Sequence, residues 1–225
     1  MQIENVIALF QFGKIETENK KQKERIKLFV KLLPNKNTLK LINSEIFEEE
    51  TFKENSKKEL WKNFGIEDFV FINGSFYDSF ANKLNERILQ CSSICLLKNE
   101  VSLDDSWYEI TIENNRILLT NEKENIYIEY NKEINETYIV SANKMLSENH
   151  TQILVDAILK LKNTFLFTDL FLNYVDETFY LSEAIEFFNA FSNKTFSRAT
   201  FKRRFANKIF LIDNTDNNLL YKKIK

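Results

Sequence analysis

Apolar and polar positions alternate between two periods along this chain, and the changes of period mark its elements. A short apolar run at residues 6–12 predicts a first strand, and partial alternation at Ile26, Leu28 and Val30 predicts a second over 24–33. The polar, charged stretch 14–23 joins them as a loop. Pro34-Asn35-Lys36-Asn37 then turns the chain into a short strand at 39–42. Phe52, Ser56, Leu60 and Phe64 fall four apart, which gives a helix over 52–64 one face for a core. Thr51 and Glu54 have the spacing of a capping box at its start, and Gly65 stops it. Further strands are expected at 68–72 (closed by a turn at Asn73-Gly74), 87–97 and 107–110. A hairpin over 117–120 and 126–130 follows them.

A second long helix is expected over 149–163. Asn149 would cap it, with Gln152 at the third helical position, and Ile153, Leu154, Ala157, Ile158 and Leu161 form its apolar face. A domain boundary falls at 163/164. Beyond it the pattern shortens to helices at 167–174, 181–191 and 197–207, then a strand pair at 209–212 and 219–224. Three short helices and a hairpin have the layout of a winged helix-turn-helix. The expected class is α+β: a mixed sheet between helices over 1–163, then a winged helix over 164–225.

Composition narrows the chemistry. The 225 residues include 21 Phe but only 3 Gly and 1 Pro, which argues against a glycine-rich phosphate loop. Cys91 and Cys95 lie in an apolar run and read as buried thiols of a reducing compartment. No secretory signal opens the chain and no apolar stretch approaches the ~20 residues of a membrane span, so a cytoplasmic protein without membrane contact is expected. The single histidine, His150, has no catalytic company and reads as a hydrogen-bonding residue at a helix start.

The net charge of −2 hides an uneven distribution. From 187 to 212 there are six basic residues, Lys194, Arg198, Lys202, Arg203, Arg204 and Lys208, and no acidic one. Ser197 is a good helix cap, and Phe201, Phe205 and Ile209 form an apolar stripe that turns the basic side chains outward. Phosphate contacts from Lys and Arg, with side chains near the helix start (Ser197, Arg198, Thr200) reaching base edges, are what a recognition helix needs. Double-stranded DNA is the expected partner.

The stretch 44–66 resembles the Nudix box, whose glutamates bind magnesium diphosphate. Glu50, Glu59, Leu60, Gly65 and Ile66 match. Ser44 stands for the first glycine, Lys58 for the arginine, and Lys62 and Asn63 for the glutamate pair; Ile42, Asn43 and Ser44 replace Pro-Gly-Gly. Carboxylates at 59, 62 and 63 would project from one helical face onto a hard cation. Only Glu59 remains, and Lys62 puts an ammonium where the cation would sit, so no catalytic residue, metal or cofactor is expected.

The run from Arg87 to Leu97, the Trp107-Tyr-Glu-Ile110 segment and the His150 to Lys162 helix also resemble Nudix domains. Phe179-Tyr-Leu-Ser-Glu-Ala184 and Phe196 to Phe205 are similar to the C-terminal module of Nudix-related transcriptional regulators, with Tyr180 for a Thr cap and Thr200 for an Asn. That family implies a homodimer that binds an operator and senses a sugar such as arabinose or an ADP-ribose-type NAD metabolite. The effector would be met by loops around Lys31, Glu50, Glu59 and Arg87. For Arg87 the alternative is an ion pair with a surface carboxylate at a strand end. Two other functions stay open: residual nucleoside-diphosphate hydrolysis through Glu50, Glu54 and Glu59, and a Nudix-derived protein-interaction module.

Overall fold

In β1 (Gln2–Glu16) the odd positions Asn5, Ile7, Leu9 and Gln11 and the even positions Val6, Ala8, Phe10 and Phe12 are all buried. Successive side chains of a strand point to opposite faces, so this strand is covered on both. The computed structural model describes residues 2–16, 24–47, 49–81, 86–134, 136–191, 196–215 and 218–224. β2 (Glu24–Lys31) pairs antiparallel with β1, and β3 (Leu33–Asn35) with β4 (Thr38–Lys40) forms a small hairpin. β5 (Ile42–Glu45) returns to the start of β1 and leads into α1 (Phe52–Phe64). β6 (Phe69–Ala81) and β7 (Glu86–Leu97) follow, with β7 parallel to β1. β8 (Trp107–Glu113), β9 (Arg116–Thr120), β10 (Asn125–Lys132) and β11 (Thr137–Ala142) then form an antiparallel meander. The mixed sheet runs β11-β10-β9-β8-β2-β1-β7-β6, with β5 also on β1.

Its two faces are served by two helices. Ile7, Leu9, Phe29, Cys95, Leu97 and Trp107 cluster with Leu60 of α1. Val6, Ala8, Phe10, Leu28, Val30, Ile94 and Leu96 meet Ile153, Leu154, Ala157, Ile158, Leu161 and Phe165 of α2 (His150–Phe167) on the other. Helix, mixed sheet and helix are therefore stacked as expected. α2 also ties down the open sheet edges: Lys160 Nζ donates to the Gly74 carbonyl of β6 at 3.2 Å, and Gln152 Nε2 to the Thr137 carbonyl of β11 at 2.8 Å.

The C-terminal part has a 3-10 turn (Leu170–Asn173), β12 (Thr178–Tyr180), α3 (Leu181–Asn189), α4 (Arg198–Phe205), β13 (Ile209–Thr215) and β14 (Asn218–Lys223). Its small sheet is ordered β12-β14-β13. It shares its core with the large sheet. The ring of Phe12 stands edge-on to Phe165, Tyr174, Phe187 and Phe191, at centroid distances from 4.9 to 5.8 Å. Phe165 meets Phe188, which passes the packing on to Phe171, Phe201 and Phe205.

Some elements differ from expectation for local reasons. α2 continues past Asn163 because Phe165 is a core residue, and the next expected helix is only the 3-10 turn. Asn73-Gly74 is a bulge within β6 and not a turn: a Cβ on Gly74 would lie 1.9 Å from Ser92 Oγ, so glycine serves close strand approach. Asn149 directs its amide to Gln90 Oε1 and leaves the start of α2 without a side-chain cap. Cys91 and Cys95 are free and buried. Among the described residues no helix is long and apolar enough to cross a membrane.

Candidate nucleic-acid interface and effector site

α1 begins and ends as its sequence dictates. Thr51 Oγ1 accepts from Glu54 N at 3.2 Å while Glu54 Oε2 accepts from Thr51 N at 3.0 Å, closing the capping box. Gly65 closes the other end in the left-handed region at φ 68°. The capping bonds occupy Glu54 and hold its carboxyl below the usual range.

The other carboxylates of the segment are engaged as well. Glu50 takes Lys58 Nζ on one oxygen at 2.7 Å and Asn55 Nδ2 on the other at 2.9 Å. The Lys58 bond, then that of Asn55, holds its carboxyl low, and the same contact pushes the Lys58 ammonium up. Glu59 accepts from Asn63 Nδ2 at 3.2 Å, so the residue at one ligand position of the Nudix box here donates to the residue at another. Among the described residues no group of three or more His, Cys, Asp or Glu is placed to hold a metal ion.

The four expected effector residues each have a separate protein partner. Lys31 is buried, with its ammonium 5.2 Å from the Phe64 ring and 5.0 Å from the Trp107 ring. It donates to Asp104 at 3.0 Å and to Ser106 Oγ at 2.6 Å. Arg87 forks onto the Asp78 carboxylate across the β6–β7 pair, the strand-end ion pair that was its alternative reading. Glu50 and Glu59 stay within the α1 segment as described.

α4 carries the basic residues in the register the sequence predicts. Phe201, Phe205 and Ile209 are buried, while Arg198, Lys202, Arg203, Arg204 and Lys208 are exposed. Ser197 Oγ caps the helix by accepting from Thr200 N at 3.1 Å. Two of the cations turn back onto the protein. The Arg204 guanidinium lies over Phe167 at 4.8 Å and Phe196 at 5.7 Å and donates to the Leu166 carbonyl. Lys208 pairs with Asp169 at 3.2 Å. Among the described residues Lys202 and Arg203 have no ion pair or hydrogen bond from their side chains. Lys194 lies outside the described residues.

No family model and no curated protein matches this chain. Solved structures do. A MutT/nudix family protein from Enterococcus faecalis matches with a TM-score of 0.69 at 13% identity, over 99% of this chain and 86% of that one. NrtR from Shewanella oneidensis matches with a TM-score of 0.60 at 13% identity, over 100% and 94%. The same protein complexed with a 27mer DNA matches with a TM-score of 0.57 at 12% identity, over 99% and 93%. The fold is Nudix-like.

In the Nudix-like half, the start of α1 is fixed by a buried polar cluster. Asn5 Nδ2 reaches Asn55 Oδ1 and Ser56 Oγ at 2.9 Å each, and Ser93 Oγ donates to Asn5 Oδ1 at 2.7 Å. Ser44, which stands for the box's first glycine, donates to Asn55 Oδ1 at 2.7 Å. Buried polar groups are costly unless satisfied, and together these residues hold α1 to β1, β5 and β7. Ser56 on an otherwise apolar stripe was the signal available in the sequence. His150 is buried too but only half satisfied: Nδ1 accepts from Leu41 N at 3.0 Å, Nε2 has no hydrogen-bond partner among the described residues, and burial pushes its pKa down to about 4.

Proposed function

We propose that the chain is a DNA-binding transcriptional regulator, probing DNA with its C-terminal part (164–225) and sensing a small molecule with a Nudix-like domain (1–163) that does not hydrolyse it. The observation that carries this reading is α4: a capped helix with a buried aromatic stripe and an outward basic face in a window without acidic residues. In this reading α3, α4 and the β13–β14 hairpin act as a winged helix-turn-helix. Arg198 and Thr200 face base edges from the helix start, and Lys202 and Arg203 meet phosphates. Arg204 and Lys208 instead hold α4 against the end of α2. The DNA complex of the Shewanella NrtR, a protein of similar fold along its whole length, supports the assignment.

Engagement of Glu50, Glu54 and Glu59 by Lys58, Asn55, Thr51 and Asn63 supports the non-hydrolytic half of the proposal. Of the four effector residues, Lys31 is retained, because its partners form the wall of a cavity. We further place the protein in the cytoplasm, as a homodimer on two half-sites. Fluorescence anisotropy on its own upstream DNA and a scrambled duplex, over a salt series, tests the reading. It fails if neither duplex binds at low salt. Residual hydrolase activity is the second reading, favoured by the likeness to the Enterococcus MutT/nudix protein. Magnesium-dependent cleavage of nucleoside diphosphate compounds, abolished by Glu59→Gln, would establish it.

A further inference from the structure

The C-terminal hairpin stands where a wing would, but its chemistry does not suit phosphates. From Ile209 to Ile212 it is apolar, and the following stretch 213–218 carries two acids and no base. The lysines of β14 are engaged by the protein: Lys222 lies 3.5 Å from Glu177, and Lys223 Nζ donates to the Val175 carbonyl at 2.7 Å. Phe210, Leu211, Ile212 and Ile224 are instead 46–48% exposed. A run of large apolar side chains left in water marks an interaction surface.

β13 is also an edge. Among the described residues it pairs with β14 alone, so its outer N–H and C=O groups form a template for another strand. The register fixes which side chains share a face. Phe210 lies opposite Lys222 and Leu211 opposite Tyr221, on alternate sides of the sheet. The register then skips Ile212, so Asp213 falls opposite Leu220 and returns to the side of Phe210. Lys208, whose carbonyl accepts from Ile224 N at 2.9 Å, is on that side as well. A cation, a phenyl ring and a carboxylate line one side of the edge in that order.

That order is self-complementary. A second copy laid antiparallel about a two-fold axis at Phe210 puts Phe210 against Phe210 and Ile209 against Leu211, with Ile212 as the extra residue. Lys208 of each copy then faces Asp213 of the other. Aromatic pairs and opposite charges are both favourable across strands. Lys208 also lies 3.2 Å from Asp169, which leaves further ammonium donors for a second carboxylate.

We infer that β13 is a docking strand for a second copy of this chain, joining the two small sheets into one, and that the hairpin serves this pairing and not DNA phosphates. The inference rests on the regulator reading only for its purpose: paired hairpins then hold two α4 helices side by side on neighbouring half-sites. The patch is small beside the ~1,200–2,000 Å² of stable interfaces. Pairing therefore depends on concentration and is strengthened when DNA brings two copies together.

The test uses the full chain at high concentration, alone and with its own upstream DNA. Directly opposed residues of an antiparallel pair have Cβ atoms about 4.5–5.5 Å apart, within reach of a disulfide after a small movement. Oxidised Phe210→Cys should give a covalent dimer on a non-reducing gel, several-fold more than Thr178→Cys on the opposite edge of the same sheet. Cys91 and Cys95 are buried, so the unsubstituted chain is the blank. Charge exchange, read by sedimentation, is the second arm. Lys208→Asp and Asp213→Lys should each lower self-association, and an equimolar mixture of the two should restore it, because each copy again offers the other an opposite charge. Mixing does not repair a misfolded chain. Equal cross-linking at 210 and 178, or no gain on mixing, overturns the inference. Operator binding is measured separately. DNA binding with neither the cross-link nor the gain refutes the pairing and spares the regulator, whereas both of these without DNA binding support the pairing and refute the regulator.

Discussion

The two capped helices that face solvent, α1 and α4, treat charge in opposite ways. On α1 the carboxylates are closed on themselves: Glu50 on Lys58 and Asn55, Glu54 on the Thr51 cap, Glu59 on Asn63. Beneath it lie buried amides and hydroxyls. On α4 the support is phenylalanine, and Lys202 and Arg203 point outward with no side-chain partner among the described residues. A helix whose carboxylates are satisfied within its own segment offers little to a cation. One that turns cations such as Lys202 and Arg203 outward from an apolar anchor offers a surface.

The largest effect should come from removing that anchor. Phe201 is fully buried against Phe171, Phe188 and Phe205. Phe201→Ala should cost roughly 3–5 kcal/mol, as a large core truncation does. Urea denaturation checks it, and a neutral outcome would mean that α4 is not held by this stripe.

The next effect separates the halves by pH. His150 is the one histidine, buried in the Nudix-like half, and its pKa falls from an ordinary 6.5 to about 4 on folding. A cation-forming group with a depressed folded pKa stabilises the fold fully above its unfolded pKa. Stability is therefore complete above pH ~6.5 and declines as pH falls toward about 4, by about 3 kcal/mol in all. Denaturation midpoints across that window measure it, and His150→Gln should flatten the curve. An equally steep curve in His150→Gln would assign the acid loss to other groups.

Much of this contrast could be read in the sequence because it is local. Thr51, Glu54 and Gly65 define α1 within one turn of each end, and Phe201, Phe205 and Ile209 define the register of α4. What escaped depends on distant partners. For Arg87 the ion pair was one of two readings, but its partner Asp78 is set by strand pairing; Arg204 is claimed by Phe167 and the end of α2, and Lys31 by a polar loop with no period of its own. Gly74 looked like a turn because nothing near it in sequence shows that Ser92 lies against it.

On DNA, the cations of α4 should divide by role. Arg198→Ala should cost about 1–3 kcal/mol on the operator and relax preference at one base pair. Lys202→Ala should weaken every duplex alike and reduce the salt slope by about one unit. Arg204→Ala should alter stability more than salt slope, because its guanidinium is stacked on Phe167 and Phe196. Anisotropy titrations on operator and scrambled duplexes distinguish the three, and identical salt slopes for all of them would erase the division.

The smallest effect gives the sharpest comparison, because the same chemistry starts both helices. Thr51 Oγ1 and Ser197 Oγ each accept from a backbone N–H three residues on, at 3.2 and 3.1 Å. Replacing either by Ala leaves an orphan donor and should cost about 1 kcal/mol of stability. The consequences for DNA should differ. α1 has 13 residues and a second closure at Gly65, so Thr51→Ala should leave operator affinity unchanged. α4 has only 8, and its first residue is Arg198, so fraying from Ser197→Ala displaces the side chains that meet base edges. Ser197→Ala should therefore lower operator affinity several-fold beyond any loss on scrambled DNA. Urea midpoints measure the shared part and anisotropy the unshared part. Equal losses of operator affinity from the two variants would mean that α4 has no special place at the DNA.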